Sequence, residues 1–78
     1  MYDIQIYASR QCPYCVRAKA LLQSRGLTYS EIDITGDVIR TREMIERSGN
    51  RSVPQIFIDG ESIGGFDELS AMNKAGKL

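Results

Sequence analysis

The sequence predicts a single α/β domain over residues 1–78, of order β-α-β-α-β-β-α, in which a four-stranded mixed sheet carries helices on both faces. Short segments of two-residue hydrophobic period alternate with longer segments of helical period. Gly, Pro, Asn and Asp punctuate the junctions between them. A β-α-β unit opens the chain and an Asp59-Gly60 turn joins two later strands, so the sheet must hold both parallel and antiparallel pairs.

Asp3–Tyr7 alternates, with Ile4 and Ile6 on one face, and reads as the first strand. Residues 13–25 set Cys15, Ala18, Leu21 and Leu22 on one helical stripe. Pro13 suits the first helical position, where a missing N–H is no loss, and Gly26 suits a left-handed stop. Residues 28–34 return to a strand, with Ile32 and Ile34 on one face. The right-handed rule for β-α-β crossovers makes this strand parallel to the first. Thr35-Gly36-Asp37 forms a turn and cap, and a second helix runs to about Ser48 with Val38 and Ile45 on one face. Gly49-Asn50 ends it. Val53–Ile58 is nearly continuous apolar sequence, as in a central strand. Asp59-Gly60 then turns into a short strand, Glu61–Ile63, and Gly64-Gly65 opens a last helix whose inner face carries Phe66, Leu69 and Met72.

Composition bounds the function. Ten Lys and Arg balance ten Asp and Glu, which argues against a nucleic-acid or membrane-surface binder. No apolar run approaches the roughly 18 residues of a membrane span. No apolar leader precedes the first strand, so a cytoplasmic location is expected. There is no histidine, which removes Cys–His and Ser–His catalysis, and two cysteines cannot by themselves close a zinc site, so no metal is expected. The charges are uneven. Between Asp3 and Glu31 there is no acidic residue, but there are Arg10, Arg17, Lys19 and Arg25. These are either solvated helix-face charges or a bias toward a thiolate or an anionic ligand.

Both cysteines lie in that stretch, as Cys12-Pro13-Tyr14-Cys15. The spacing places Cys12 at a helix N-terminus, where free N–H groups and the helix dipole favour an anion. A thiolate is the reactive form of cysteine, so this position raises reactivity at neutral pH. Cys15 stands about one helical turn on, within reach of Cys12. A disulfide between them closes a very small ring and adds little stability through loop closure. Such a bond is better suited to being made and broken than to stapling a fold. The bland alternatives are a structural disulfide, half of a metal site completed by a second chain, or two buried thiols. At a strand-to-helix junction in a β-α-β unit, the C-x-x-C spacing favours redox chemistry. Cys12 attacks a disulfide sulfur, and Cys15, deeper on the helix stripe, resolves the mixed disulfide or waits for an external thiol.

Two further stretches carry chemistry. In Ser52-Val53-Pro54 the proline either simply sets the strand's entry or follows a cis bond that turns the Val53 backbone toward the cysteines. In the second case the Val53 N–H and C=O are free to pair with an extended peptide. In Gly64-Gly65-Phe66-Asp67 the helix start can hold a carboxylate, and Asp67 either caps the helix or pairs with a ligand's ammonium group, capping being favoured on the residues alone.

Together these motifs resemble those of the glutaredoxins, specifically the small bacterial dithiol members with the thioredoxin fold, from about Ile4 to the C-terminus. The resemblance implies a glutathione-dependent thiol–disulfide oxidoreductase that reduces protein–glutathione mixed disulfides and protein disulfides, with glutathione as reductant. It implies that Cys12 is the nucleophile and Cys15 the resolving thiol. Tyr14 flanks glutathione. Ser52, Val53 and Pro54 form the loop in which Val53, before a cis Pro54, pairs with the glutathione backbone. Gly65, Phe66 and Asp67 hold the γ-glutamyl end, Asp67 through the ammonium group. The partners implied are glutathione and glutathionylated or disulfide-containing proteins, met by a monomer.

The chain departs from the pattern at Ser9, where the family usually has lysine, and at Thr41, where it often has Arg or Gln. Arg10, Arg40 and Arg42 stand beside those positions and are the candidates for supporting the thiolate and the glycyl carboxylate. Ser52 replaces the usual threonine. Two other functions fit the same fold. One is a glutaredoxin-like electron donor reduced by thioredoxin reductase, for example to ribonucleotide reductase, although its usual C-terminal Trp-Ser-Gly-Phe-Arg pattern is absent. The other is an iron–sulfur carrier in which two chains each give Cys12 and two glutathiones complete the ligands, although Pro13 stands where such proteins more often have Gly or Ser.

Overall fold

The computed structural model describes residues 2–78. Its elements are β1 (Ile4–Ala8), α1 (Pro13–Ser24), β2 (Ser30–Asp33), α2 (Val38–Ser48), β3 (Gln55–Ile58), β4 (Glu61–Gly64) and α3 (Phe66–Lys74). The sheet order is β2-β1-β3-β4. β1 and β2 are parallel, and the other two pairs are antiparallel. This is the mixed four-stranded sheet that the sequence predicts, in the thioredoxin fold.

β1 is covered on both sides, and its two-residue period divides the interior. Ile4, Ile6 and Ala8 pack with Cys15, Ala18 and Leu22 of α1 and Leu69 of α3. Tyr7 points the other way, to Met44 of α2 and Phe57 of β3. The sheet thus separates a larger core under α1 and α3 from a smaller one under α2. No helix among the described residues is long and apolar enough to cross a membrane.

The expected ends hold locally. Gly26 and Gly49, after α1 and α2, have φ of +68° and +75°, the left-handed stop that glycine takes without a Cβ clash. Asp59 and Gly60 both have positive φ, 52° and 82°, as a type I′ hairpin turn requires. Asp59 also accepts a hydrogen bond from the Asp3 N–H at 2.9 Å, tying the turn to the start of the chain.

α2 differs from its predicted face. Val38 is 71% exposed, whereas Met44 is fully buried. The inner stripe runs through Thr41, Met44, Ile45 and Ser48, at helical spacing. The hydroxyls of Thr41 and Ser48 each donate to the carbonyl four residues back, Asp37 and Met44, at 2.7 Å. Those bonds satisfy two polar side chains on the inner face, and so hide the stripe from a reading by hydrophobicity.

The smaller core carries one polar cluster. The Tyr7 hydroxyl donates to Glu43 at 2.5 Å and accepts from Arg47 at 2.6 Å. Arg47 lies over the Phe57 ring, 4.0 Å from its centroid, and donates to Gln5 at 3.1 Å. Arg40 pairs with Glu43 at 3.0 Å. Burial raises the Tyr7 pKa, with its bond to Glu43 adding to the effect. That same bond is the chief reason the Glu43 carboxyl is held below its ordinary value. A depressed carboxyl stabilises the fold above its unfolded pKa, about 4.3, and the contribution is lost as pH falls through the folded value. Tyr7→Phe is expected to lower stability by about 1–3 kcal/mol at neutral pH. It should also flatten the loss of stability on acidification, as read by urea unfolding at a series of pH values. An unchanged acid limb would show that Glu43 is held by Arg40 instead.

Candidate active site

The strand directions bring three distant stretches to one end of the sheet. β1 runs out at that end toward Cys12. β3 is antiparallel to β1, so it enters there from Val53-Pro54, and their ladder closes with Tyr7 opposite Gln55. β4 is antiparallel to β3 and runs out again at the same end, into Gly64-Gly65 and α3.

Cys12 is the N-cap of α1, in extended backbone, with Pro13 at the first helical position. Its sulfur accepts the Cys15 N–H at 3.1 Å. A helix start therefore already aims a donor at the atom that must carry negative charge, and this favours the thiolate. The Cα atoms of Cys12 and Cys15 are 5.2 Å apart, and their sulfurs form a disulfide. Cys15 is fully buried in the larger core, whereas Cys12 is half-buried. The access difference expected from the helix stripe is therefore present.

The Val53–Pro54 peptide is cis. The Val53 carbonyl oxygen lies 3.6 Å from the Cys12 sulfur. Val53 stands outside the β1–β3 ladder, and neither its N–H nor its C=O joins a main-chain hydrogen bond among the described residues. Such a free edge, set beside a reactive sulfur, can pair with an extended chain. Gly65 lets α3 begin close to this loop, because a Cβ there would lie 3.2 Å from the Pro54 carbonyl. Gly64 has φ +107°, and a Cβ would come within 2.5 Å of the Glu68 carboxylate. That carboxylate accepts the Gly65 N–H at 2.7 Å. The helix start is thus braced by Glu68. Asp67 is not the N-cap, contrary to the reading favoured on the residues alone, because Gly65 takes that position.

A groove of about 700 Å³ runs between the cis-proline loop and α3. Tyr14, Ser52, Val53, Pro54, Gly65, Phe66 and Asp67 all line it. The sequence reading missed Asn50, Gln55 and Ser62, which line it too. Gln55 had a signal, since it is the one polar side chain in the apolar run Val53–Ile58. It is 3% exposed and its amide donates to the Ser52 carbonyl at 2.9 Å, bracing the loop that carries Val53.

The three arginines proposed as support stand apart from this groove. Arg10 pairs with Asp33 at 3.4 Å, and its main-chain N–H donates to the Thr35 hydroxyl oxygen at 2.9 Å. The Asp33 carboxyl lies below its ordinary value, chiefly through hydrogen bonds from Thr35 and only secondarily through Arg10. Arg40 is held by Glu43, and Arg42 borders a separate apolar hollow with Ile34 and Ile45.

A half-exposed cysteine at a helix start, one turn from a buried one and beside a cis-proline loop, defines a thioredoxin-fold domain with a redox-active cysteine pair. Comparison with known proteins narrows the class. The sequence profile of the glutaredoxin family matches residues 4–63. Glutaredoxin 3 of Escherichia coli strain K12 is 50% identical over 78 residues, covering 100% of this chain and 94% of the relative. The solution structure of glutaredoxin from Brucella melitensis superposes with a TM-score of 0.85 at 47% identity, covering 97% of this chain and 83% of that one. A buckwheat glutaredoxin solved as a glutathione complex superposes at 0.89 and 29% identity, covering 99% and 73%. The chain belongs to the glutaredoxin family, whose members are thiol–disulfide oxidoreductases.

The Gln55 side-chain oxygen is buried without a partner among the described residues. Replacing Gln55 with leucine removes the amide's two hydrogen bonds to Ser52 and one unpaired acceptor together. Stability is therefore expected to change by less than about 1.5 kcal/mol, measured by urea unfolding. A loss above about 3 kcal/mol would show that the oxygen has a buried partner of its own, such as a fixed water.

Proposed function

We propose that this protein is a glutathione-dependent thiol–disulfide oxidoreductase acting on protein–glutathione mixed disulfides and on protein disulfides. The observation that carries the reading is the groove beside Cys12, with the free Val53 main chain at one side and the α3 start at the other. Glutathione is an extended tripeptide with a thiol at its middle and an ammonium and a carboxylate at its γ-glutamyl end. The Val53 N–H and C=O match its central residue. The first N–H groups of α3, which no helical turn satisfies, match the γ-glutamyl carboxylate. Asp67, exposed and without a hydrogen-bond partner among the described residues, matches the ammonium. Tyr14 and Phe66, with ring centroids 6.0 Å apart, flank the peptide.

The Cys12 thiolate attacks the glutathione sulfur of a mixed disulfide. The bond to the protein sulfur breaks, and the protein cysteine leaves as a thiolate with the electron pair and takes a proton from water. Cys12 now carries glutathione. A second glutathione thiolate attacks that sulfur, releases oxidised glutathione and restores the Cys12 thiolate. For protein disulfides, Cys15 attacks the mixed disulfide on Cys12 and forms the Cys12–Cys15 bond, which two glutathiones then reduce. Supporting the glycyl carboxylate requires Arg10 and Arg40 to leave Asp33 and Glu43, whereas Arg42 has no ion pair to give up among the described residues. The reading takes the chain as a cytoplasmic monomer.

The test is reduction of a small glutathione mixed disulfide, with glutathione plus glutathione reductase as one donor system and thioredoxin reductase as the other. Turnover with the first is expected, and turnover with the second alone would replace this reading by the electron-donor one. In the glutathione assay Cys12→Ser should abolish activity, while Cys15→Ser should retain it, because the buried thiol is dispensable on the monothiol route. Equal loss in both variants would rule that route out. Asp67→Ala should raise KM about five- to thirtyfold, the equivalent of one partly exposed charge-assisted hydrogen bond. An unchanged KM would leave the ammonium of glutathione unrecognised by this side chain.

A further inference from the structure

The basic stretch around the cysteines is only partly used by the fold. Lys19 pairs with Glu31 at 3.1 Å and Arg10 with Asp33 at 3.4 Å. Arg25 donates to the Leu78 carbonyl at 3.3 Å. Arg17 meets no carboxylate among the described residues. Its guanidinium lies over the Tyr14 ring instead, 5.0 Å from the centroid. Tyr14 lines the groove, so this cation is held on the groove's outer rim, on the helix that Cys12 caps. The neighbouring surface is apolar. Val16 is 59% exposed and Tyr14 52% exposed. The first two turns of α1 therefore present exposed apolar area with an unneutralised cation fixed beside it.

This arrangement matters for the other half of a mixed disulfide, and the inference rests on the glutathione reading above. If glutathione fills the groove, the protein joined to it must rest on surface around Cys12 that the groove does not use. We infer that the exposed face of Tyr14, Val16 and Arg17 docks the protein half of the substrate, and that it selects segments with an acidic side chain beside the glutathionylated cysteine. Charge complementarity decides the partner's chemistry. A cation already stacked on an aromatic ring loses less freedom on meeting an anion than a free arginine does, and a partner cation there is repelled. The chemistry at sulfur is unchanged. Cys12 takes the glutathionyl group, and the docked protein leaves as the thiolate with the electron pair of the broken bond.

The experiment uses two glutathionylated peptides that differ only in carrying glutamate or lysine on either side of the cysteine. A small glutathione mixed disulfide of a neutral two-carbon thiol serves as the reference. Wild type is expected to show a kcat/KM about fivefold or more higher for the glutamate peptide, a preference that shrinks with added salt. Arg17→Gln should bring the two peptides together, and Arg17→Glu should reverse the order. Both variants should keep the small-substrate rate within about twofold, which also shows that they fold, since the side chain is exposed and makes no hydrogen bond or ion pair among the described residues. Equal peptide rates in wild type, or a preference that survives Arg17→Gln, would overturn the docking inference and leave the glutathione reading standing. Failure of wild type to turn over the small mixed disulfide would instead overturn the glutathione reading, and the inference with it.

Discussion

The antiparallel ladder between β1 and β3 joins residues far apart in sequence, and the site depends on its register. With Tyr7 opposite Gln55, the chain leaving β1 and the chain entering β3 meet at the same end of the sheet. Cys12 and Val53, 41 positions apart, come within 3.6 Å through that pairing. The β3–β4 hairpin then returns the chain to the same end and delivers the start of α3. A slip of one residue in β3 would turn Ile56 and Ile58 out of one core and Phe57 out of the other, so burial on both faces enforces the register. Cores that look remote from the chemistry thus set its geometry.

At the reacting sulfur, the local rule of helix capping becomes chemistry. An N-cap side chain accepts a hydrogen bond from the first turn, and side-chain oxygen usually fills that role. Here a sulfur does, and the N–H it accepts belongs to its own partner cysteine. Proline at the first helical position leaves no N–H to compete there. Burial of Cys15 in the larger core keeps one sulfur from bulk thiols while the other stays within reach of them. The asymmetry that a two-step thiol exchange needs follows from helix geometry and packing.

The opposite face of the sheet has a different character. The Tyr7–Glu43–Arg47 cluster binds α2 to β1 through polar contacts in the smaller core. Arg47 also covers the Phe57 ring, so one side chain supplies both a donor and a lid. Neither Arg40 nor Arg42 of α2 lines the groove. The groove is walled instead by Tyr14 of α1, the cis-proline loop and the start of α3. Beyond the groove, α1 presents exposed Tyr14 and Val16 with Arg17, which meets no carboxylate among the described residues, and it is there that the protein half of the substrate is proposed to dock.

The element order, the mixed sheet and the cysteine pair at a helix start were legible in the sequence, whereas the groove residues were named through the family resemblance, which passed over Asn50, Gln55 and Ser62. The legible features rest on local rules: period, punctuation, capping and turn preference act over a few residues, and those residues are adjacent in the chain. The inner face of α2 was not legible, because Thr41 and Ser48 hide their polarity in bonds to carbonyls one turn back. Asp67 read as a cap, and Glu68 took the bracing role, because one residue of helix phase decides which carboxylate reaches the Gly65 N–H. Arg10 and Arg40 stood as candidates for supporting the thiolate and the glycyl carboxylate, but Asp33 and Glu43 pair with them. Arg40 meets Glu43 one turn on in the same helix, but Arg10 meets a carboxylate 23 positions away that only the tertiary structure sets beside it. The sequence by itself determined the order of the elements and set the cysteine pair at a helix start. Only the packed structure decided which of them face one another, because ion pairs and groove walls are made between segments that no local rule connects.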